Sequence, residues 1–330
     1  MNDTGHFVIS LDFELFWGVR DKRTLASYGE SIANVQKVIP KLLNFFDLYN
    51  AKATFATVGF LFSNSKEELL SYCPRQKPNY IDENLSPYAD DFNLVKESSK
   101  DDPYHYALNL IKLIKTHPQH EISTHTFSHY YCLEKGQTKQ DFEADIKAAI
   151  AIASKEEIVI ESIVFPRNQF NDAYKNILLK YGIKSYRGNE EVWFQSYQNE
   201  EDTSLLKKIF RTANCYINLS GHHTYSLPDL ATNELPFNIP SSRFLRPFQK
   251  RISFLKPLQV RRIKKSMTHA AKKKELFHLW WHPHNFGANM NENFEILEEI
   301  LKHYKYLNTK YNFKAATMVE IERKLQALKS

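Results

Sequence analysis

Glycine is scarce in this chain, nine residues in 330. Loops that cradle phosphates through repeated glycines are therefore not expected, and neither a Walker-type nor a dinucleotide-type glycine pattern is present. Cysteine is scarcer still. Cys73, Cys132 and Cys215 lie far apart with no Cys-x-x-Cys, which argues against a disulfide framework or a cysteine zinc site and fits a reducing compartment. No apolar run reaches the roughly 18–20 residues that span a bilayer. The N-terminus, "MNDTGHFVISLDFE", has no basic start followed by an apolar stretch and a cleavage site. No signal peptide is expected, and a cytoplasmic location is. Acid is missing from one long block: Ser241 to Lys274 carries twelve Lys and Arg and no Asp or Glu, in a chain of net charge +6.

What is present is ample apolar material, 42% hydrophobic and 14% aromatic residues, enough for a large core. Strand-like and helix-like stretches alternate. Phe7 to Leu11, "ATFATVGFLF" (Ala53 to Phe62), "HEIST" (His120 to Thr124), "ESIVFP", "IKSYRG", "LFHLWW" (Leu276 to Trp281) and "FKAATM" read as strands. Helical spacing links them, as in Ile32, Val35, Ile39, Leu42, Leu43 and Phe46. About seven strands separated by helices predict an α/β fold of parallel units closed into a barrel, with its chemistry at the C-terminal ends of the strands. The unusual polar residues fall there: Asp12 and Glu14, His125, Arg167 and His282.

Asp12 and Glu14 are two apart on an extended chain, so their side chains share a face. Two such carboxylates can divide labour, one binding a cation and the other moving protons. A pair of edge acids neutralised by Arg20 or Lys22 would look the same. In "HTFSH", His125 and His129 are four apart and, on a helical turn, could hold one ion. Two histidines and one carboxylate leave positions open on zinc or a similar ion, as at a catalytic site. His282, at the end of "HLWWH", suits proton donation near neutral pH. Arg167 in "IVFPRNQF" is expected to orient a carboxylate. Trp17, Arg20, Asn168, Gln169, Trp281 and His284 flank these groups and are the expected substrate contacts. His222 and His223 read as loop histidines or substrate contacts.

An acidic pair after the first strand, then "ATFATVG", "HTFSH", an arginine motif, "YGIKSYRG" and a late strand-end histidine come in the order found in the polysaccharide deacetylases. The chain resembles this family, the NodB-homology group or carbohydrate esterase family four, from Phe7 to about Leu325, with Gln195 to Glu275 unmatched. The resemblance implies one distorted TIM-like (β/α)7 barrel over 1–330 with a basic insertion at 195–275. It also implies metal-dependent removal of an N-acetyl group from an amino sugar. Carried over by position, His125 and His129 are the histidine ligands, Asp12 the base and His282 the acid. Asp12-Phe13-Glu14 departs from the usual adjacent aspartates. It resembles a variant with one residue between the acids, seen in relatives acting on lipid-linked sugars, which also share the glycine and arginine found here as Gly18 and Arg20. Glu14 is then the third ligand, although either acid could hold the ion. "FPRNQ" inverts the usual Arg-x-Pro, and the Asp and Trp of the usual fourth motif are not evident.

The expected activity is hydrolysis of an acetamido or related N-acyl group on a glycan, a lipid-linked sugar or a nucleotide sugar, in cell-surface polysaccharide biosynthesis or modification. A divalent ion, zinc first, would activate water, and a backbone N–H near Asn168 would help the oxyanion. The basic block, interleaved with Phe244, Phe248, Ile252 and Phe254, fits an anionic membrane surface at the inner face of the membrane, or a solvated helix face. No nucleic-acid-reading module is recognised. Two rivals remain open at this point: a metal-independent cyclic-amide hydrolase on the same barrel, and a non-catalytic glycan-binding relative.

Overall fold

A computed structural model describes residues 4–88, 91–190, 192 and 205–329. Among the described residues, nine strands form one sheet: β1 (His6–Phe13), β2 (Thr54–Thr57), β3 (Glu121–Thr124), β4 (Ser162–Val164), β5 (Ser185–Arg187), β6 (Phe237–Asn238), β7 (Arg243–Phe244), β8 (Leu276–Trp281) and β9 (Lys314–Ala316). Their order is β6-β5-β4-β3-β2-β1-β8-β7, every pairing is parallel, and β9 joins the start of β1. The sheet curls, and one segment completes the wall. Ile239 and Ser241 donate their N–H groups to Tyr186 and Gly188 of the β5 side, and Ser242 and Leu245 donate theirs to His278 and Trp280 of β8. Residues 237–245 thus serve both edges and blunt two otherwise unpaired strands. These residues belong to the stretch expected as an insertion; its first part, 195–204, lies outside the described residues.

Register sorts the side chains. Ser10 and Asp12 pair with Thr54 and Ala56 on β2, while Val8 and Ser10 pair with His278 and Trp280 on β8. Paired residues in parallel strands point to the same side, so this set lines the barrel interior. The alternate set, Phe7, Ile9, Leu11 and Phe13 with Phe55, Phe277, Leu279 and Trp281, belongs to the apolar core shared with the surrounding helices. Helix Met318–Lys329 plugs the bottom, burying Met318, Ile321 and Leu325 beside Val8, Ala56 and Leu276. Its first amides are satisfied from within: Met318 N–H donates to Thr54 Oγ1 and Val319 N–H to Glu121 Oε2.

The stretch read as one strand from Ala53 to Phe62 divides. β2 ends at Thr57, and Gly59–Phe62 forms a 3₁₀ turn across the top. Gly59 N–H and Phe60 N–H donate to Thr126 and Phe127, and a Cβ on Gly59 would lie 2.8 Å from Phe127 Cα. The missing side chain lets this turn brace the "HTFSH" loop. Among the described residues, no helix is long and apolar enough to cross a membrane.

Candidate functional site

At the C-terminal end of the barrel β1 delivers Asp12 and, one step past its end, Glu14. Both are almost fully buried. Asp12 is held by an arginine from across the barrel, but not the expected one. Arg187, at the end of β5, donates Nη1–H to Asp12 Oδ1 at 2.6 Å and Nη2–H to Oδ2 at 2.8 Å. It also donates to Ser10 Oγ and to Asn168 Oδ1, and its guanidinium lies 4.2 Å from the Trp280 ring centre. Burial alone would raise the Asp12 pKa; the charge and hydrogen bonds of Arg187 outweigh it and hold the carboxyl below its ordinary value.

Glu14 sits among four imidazoles. Its Oε2 lies 3.2 Å from His125 Nε2 and 3.0 Å from His129 Nε2; its Oε1 lies 3.6 Å from His282 Nε2 and 3.9 Å from His284 Nδ1. Burial works against ionisation here too, and His282, His125 and His129 together overcome it and keep Glu14 well below the usual carboxylate range. His129 is driven down to about 4, by burial first, against the pull of Glu14. His284 falls to about 3 through burial and then the neighbouring His282.

The "HTFSH" loop is not the helical turn that its spacing suggested. His125 follows β3 directly, and the chain returns through two left-handed residues, Thr126 (φ 64°) and His129 (φ 58°). Such backbone is costly for a β-branched residue and persists only where its surroundings enforce it. Here Asp145, from helix Lys139–Lys155, accepts the Phe127 N–H at 2.7 Å and the Ser128 N–H at 3.2 Å, and Thr126 Oγ1 accepts the Tyr130 N–H at 2.7 Å. The two rings end 5.1 Å apart between centres.

The chemistry of this cluster suits a cation. His125 Nδ1 lies 2.8 Å from the Val164 carbonyl, which can only accept, so Nδ1 carries a proton and Nε2 of the neutral ring presents a lone pair. That lone pair faces a carboxylate oxygen at 3.2 Å. Two acceptors so close hold together only across a shared positive charge, a proton or a metal ion. The ligating atoms of Glu14, His125 and His129 lie within 4.8 Å of one another, all buried. Among the described residues a second such group, Asp47, His117 and His120, lies nearer the surface. There His120 Nδ1 accepts the Ala53 N–H, which puts the ring proton on Nε2 and leaves no lone pair to offer.

A cleft of about 450 Å³ opens over Asp12, Glu14, His129 and His282. His282 Nε2 is 3.7 Å from Asp12 Oδ2 as well as 3.6 Å from Glu14 Oε1, so it stands beside both acids. Of the other expected site residues, Arg167, expected to orient a carboxylate, and Asn168, an expected substrate contact, line the cleft. Arg167 turns at φ 55° to pair with Asp21 and stack over Tyr131, instead of reaching Asp12. The Asn168 N–H is committed to the Phe165 carbonyl at 2.9 Å and is not available for an oxyanion. Trp17 is fully buried, donating to the His105 carbonyl and packed edge-on against Phe60. Trp281 points to the core side, stacked on Phe286, and Trp280 is the tryptophan that lines the cleft. Gln169 is buried and bonded to Leu133 and Glu134. Arg20 donates to the carbonyls of Asn84 and Leu85. His284 is buried against Tyr28, beneath the cleft. Sequence reasoning missed Arg187, Trp280, Arg211 and Arg246. The signal for Arg187 was its position, two residues after Ser185 at the end of "IKSYRG".

A family model described as polysaccharide deacetylase matches residues 28–186. The fold is similar to a "putative polysaccharide deacetylase from Mycobacterium smegmatis" (TM-score 0.62, 12% identity, covering 99% of this chain and 92% of that one). It is similar also to a "probable Polysaccharide deacetylase from Pseudomonas aeruginosa PAO1" (TM-score 0.53, 9% identity, 98% and 92%). A GH57-type branching enzyme from Pyrococcus horikoshii follows at TM-score 0.51 and 11% identity, covering 98% of this chain and 70% of that one. At these identities the likeness is one of fold. No curated protein matches this chain.

Proposed function

We propose that this chain, which belongs to the polysaccharide deacetylase family, is a divalent-metal hydrolase that removes an N-acetyl or related N-acyl group from an amino sugar. The observation that carries the reading is the convergence of Glu14, His125 and His129, with ligating atoms within 4.8 Å, beside an arginine-held Asp12 and His282. Glu14, His125 and His129 would hold the ion, zinc being well suited to two imidazoles and a carboxylate with positions left open. A bound divalent ion supplies Lewis acidity, polarising an amide carbonyl and making a water more acidic.

The chain's own residues do the rest. Arg187 keeps Asp12 ionised and fixes both of its oxygens, so Asp12 is poised to take a proton from the attacking water. His282, partly exposed to the cleft and next to Asp12, gives a proton to the departing amine. Trp280 and Phe244, with ring centres 4.7 Å apart, form an aromatic wall next to His282 that suits a sugar ring. Glu14 is the ligand and Asp12 the base in this reading, because the two imidazoles converge on Glu14 and Arg187 occupies Asp12.

The test is metal analysis of the purified protein with acetate release from N-acetylated sugars. Asp12→Asn is expected to keep metal and lose about 10²–10⁴-fold in turnover. His125→Ala is expected to lose both metal and activity. Full activity in Asp12→Asn would refute the assignment.

A further inference from the structure

The barrel interior holds polar groups that the chemistry above does not use. Arg187 uses both hydrogens on each of its two Nη atoms. Nη1 donates to Asp12 Oδ1 at 2.6 Å and to Ser10 Oγ at 3.0 Å. Nη2 donates to Asp12 Oδ2 at 2.8 Å and to Asn168 Oδ1 at 2.7 Å. The Nε–H has no hydrogen-bond partner among the described residues. The guanidinium is therefore held by its Nη ends, with the Trp280 ring stacked on it. Ser10 and Asn168 take the two outer hydrogens and keep the fork from sliding off Asp12.

Ser10 leads on to a histidine. Its Oγ lies 2.8 Å from His278 Nε2, and His278 Nδ1 lies 3.2 Å from the Ile239 carbonyl. A carbonyl only accepts, so Nδ1 carries the ring proton and Nε2 presents a lone pair. Burial first, and then the charge of Arg187, keep this ring neutral, with its pKa down to about 3. Ser10 Oγ already accepts from Arg187, so its single proton goes to His278 Nε2. Every bond then has one direction: Arg187 to Ser10, Ser10 to His278, His278 to Ile239. Ser10, His278 and Ile239 are fully buried, where such bonds are strong and water does not compete for them.

The network closes on itself. Ile239 donates its N–H to the carbonyl of Tyr186, the residue before Arg187. The same segment grips His278: Ser242 Oγ accepts the His278 N–H at 2.9 Å, and Ser242 N–H donates to the His278 carbonyl at 2.8 Å. β5, β1, β8 and the segment 237–245 thus meet in one ring of hydrogen bonds that includes Arg187. No proton can be relayed along it, because it ends on a peptide carbonyl. What it supplies is orientation, and a general base depends on that.

We infer that Ser10 and His278 are positioning residues for Asp12, acting through Arg187: they hold the guanidinium in the pose that fixes both carboxylate oxygens. This rests on the reading of Asp12 as the base of a deacylase. Neither residue lines the cleft, so their loss acts on turnover and not on substrate binding.

Ser10→Ala, Ser10→Thr and His278→Leu are compared at equal metal content, with folding checked by circular dichroism. Ser10→Ala is expected to lose about tenfold in kcat, the contribution of one charge-assisted hydrogen bond, with KM within about twofold. Ser10→Thr keeps the hydroxyl and recovers most of the loss. His278→Leu is expected to lose about threefold with Ser10 present and nothing further in Ser10→Ala, because members of one network are not additive. Unchanged kcat in Ser10→Ala overturns the inference, as does a loss carried by KM. So does a folded Ser10→Thr no better than Ser10→Ala, or a His278→Leu loss undiminished in the Ser10→Ala background.

Nitrogen-15 NMR of protein labelled at histidine and arginine reads the network without turnover. His278 is expected to carry its proton on Nδ1 alone, and Arg187 to show separate Nη–H signals that merge in Ser10→Ala as the fork begins to turn. A proton on His278 Nε2, or Arg187 signals unaltered in Ser10→Ala, overturns the inference whether or not His278→Leu folds. If the unsubstituted protein releases acetate from no N-acetyl sugar, the deacylase reading falls, and these signals by themselves uphold or overturn the positioning of Asp12.

Discussion

Arg187 grips Asp12 with both ends of its guanidinium, at 2.6 Å and 2.8 Å, from the far side of the barrel. The contact is fully desolvated on the arginine side, so its consequences for proton transfer are large. Replacing Arg187 with Lys keeps a positive charge but loses the second prong and the stacking under Trp280. Turnover is expected to fall about 10²-fold, an orientation effect on a general base. The Asp12 pKa should rise, because the group that depresses it is weakened. The acid limb of the pH–rate profile then moves to higher pH. An acid limb that stays where it was, with turnover still reduced, would mean that Arg187 does not set the ionisation of Asp12.

Gly18 is needed by Glu14. A Cβ at Gly18 would fall 1.9 Å from Glu14 Cδ and 2.1 Å from Oε1. Glu14 cannot yield easily, since its carboxyl is fixed by His125 and His129. Gly18→Ala is therefore expected to push Glu14 off the imidazoles. Metal affinity should drop by 10-fold or more, roughly the cost of disturbing a shell around a ligand, while the fold persists. The check is a competitive chelator titration alongside circular dichroism. Wild-type metal affinity in this variant would remove Glu14 from the ligand set.

How much of this could be read from the chain alone depends on the range of the interaction. The alternation along β1 already put Asp12 and Glu14 on one face, and "HTFSH" follows a strand at once, so the cluster was legible from local pattern. The arginine was not. Arg167 comes just after one short strand and Arg187 ends another. Which of them reaches Asp12 depends on what lies opposite β1 across the barrel, and on the left-handed turn that swings Arg167 to Asp21. The tryptophans show a different limit. Trp280 and Trp281 exchange faces with a one-residue change of register, and only the pairing Ser10–Trp280 decides between them. Arg211 and Arg246, which also line the cleft, come from segments remote from every motif.

Asp145 supports the loop without touching the ligating atoms. It is buried, and it binds the Phe127 and Ser128 amides and the Ser128 hydroxyl at 2.7, 3.2 and 2.5 Å. Asp145→Asn would turn part of this acceptor into a donor facing N–H groups. A stability loss of about 1–3 kcal/mol is expected, with weaker metal binding because Thr126 and His129 lose their enforcement in left-handed backbone. Denaturant unfolding of metal-free protein isolates the first effect, and metal titration the second. If stability falls and metal affinity does not, Asp145 braces the helix alone.

The pH dependence of stability should carry the mark of His120. Its ring is wedged edge-on against Phe46 and Phe55, and its Nδ1 accepts the Ala53 N–H at 3.1 Å. Burial, its largest influence, lowers its pKa to about 4. The folded state therefore holds a neutral ring where the unfolded chain takes up a proton near 6.5. The stabilising contribution is present in full above about 6.5 and is lost as the pH falls towards 4, since unfolding then binds the proton. Partial exposure of the ring moderates the size to roughly 1–2 kcal/mol between these limits. His120→Asn keeps an acceptor for the Ala53 N–H but cannot titrate. Its denaturant midpoint should fall less steeply between pH 7 and pH 4.5 than that of the unsubstituted protein. Identical slopes would place the acid sensitivity elsewhere, with His6 and His278, also depressed to about 4 and about 3 by burial, as the next groups to replace.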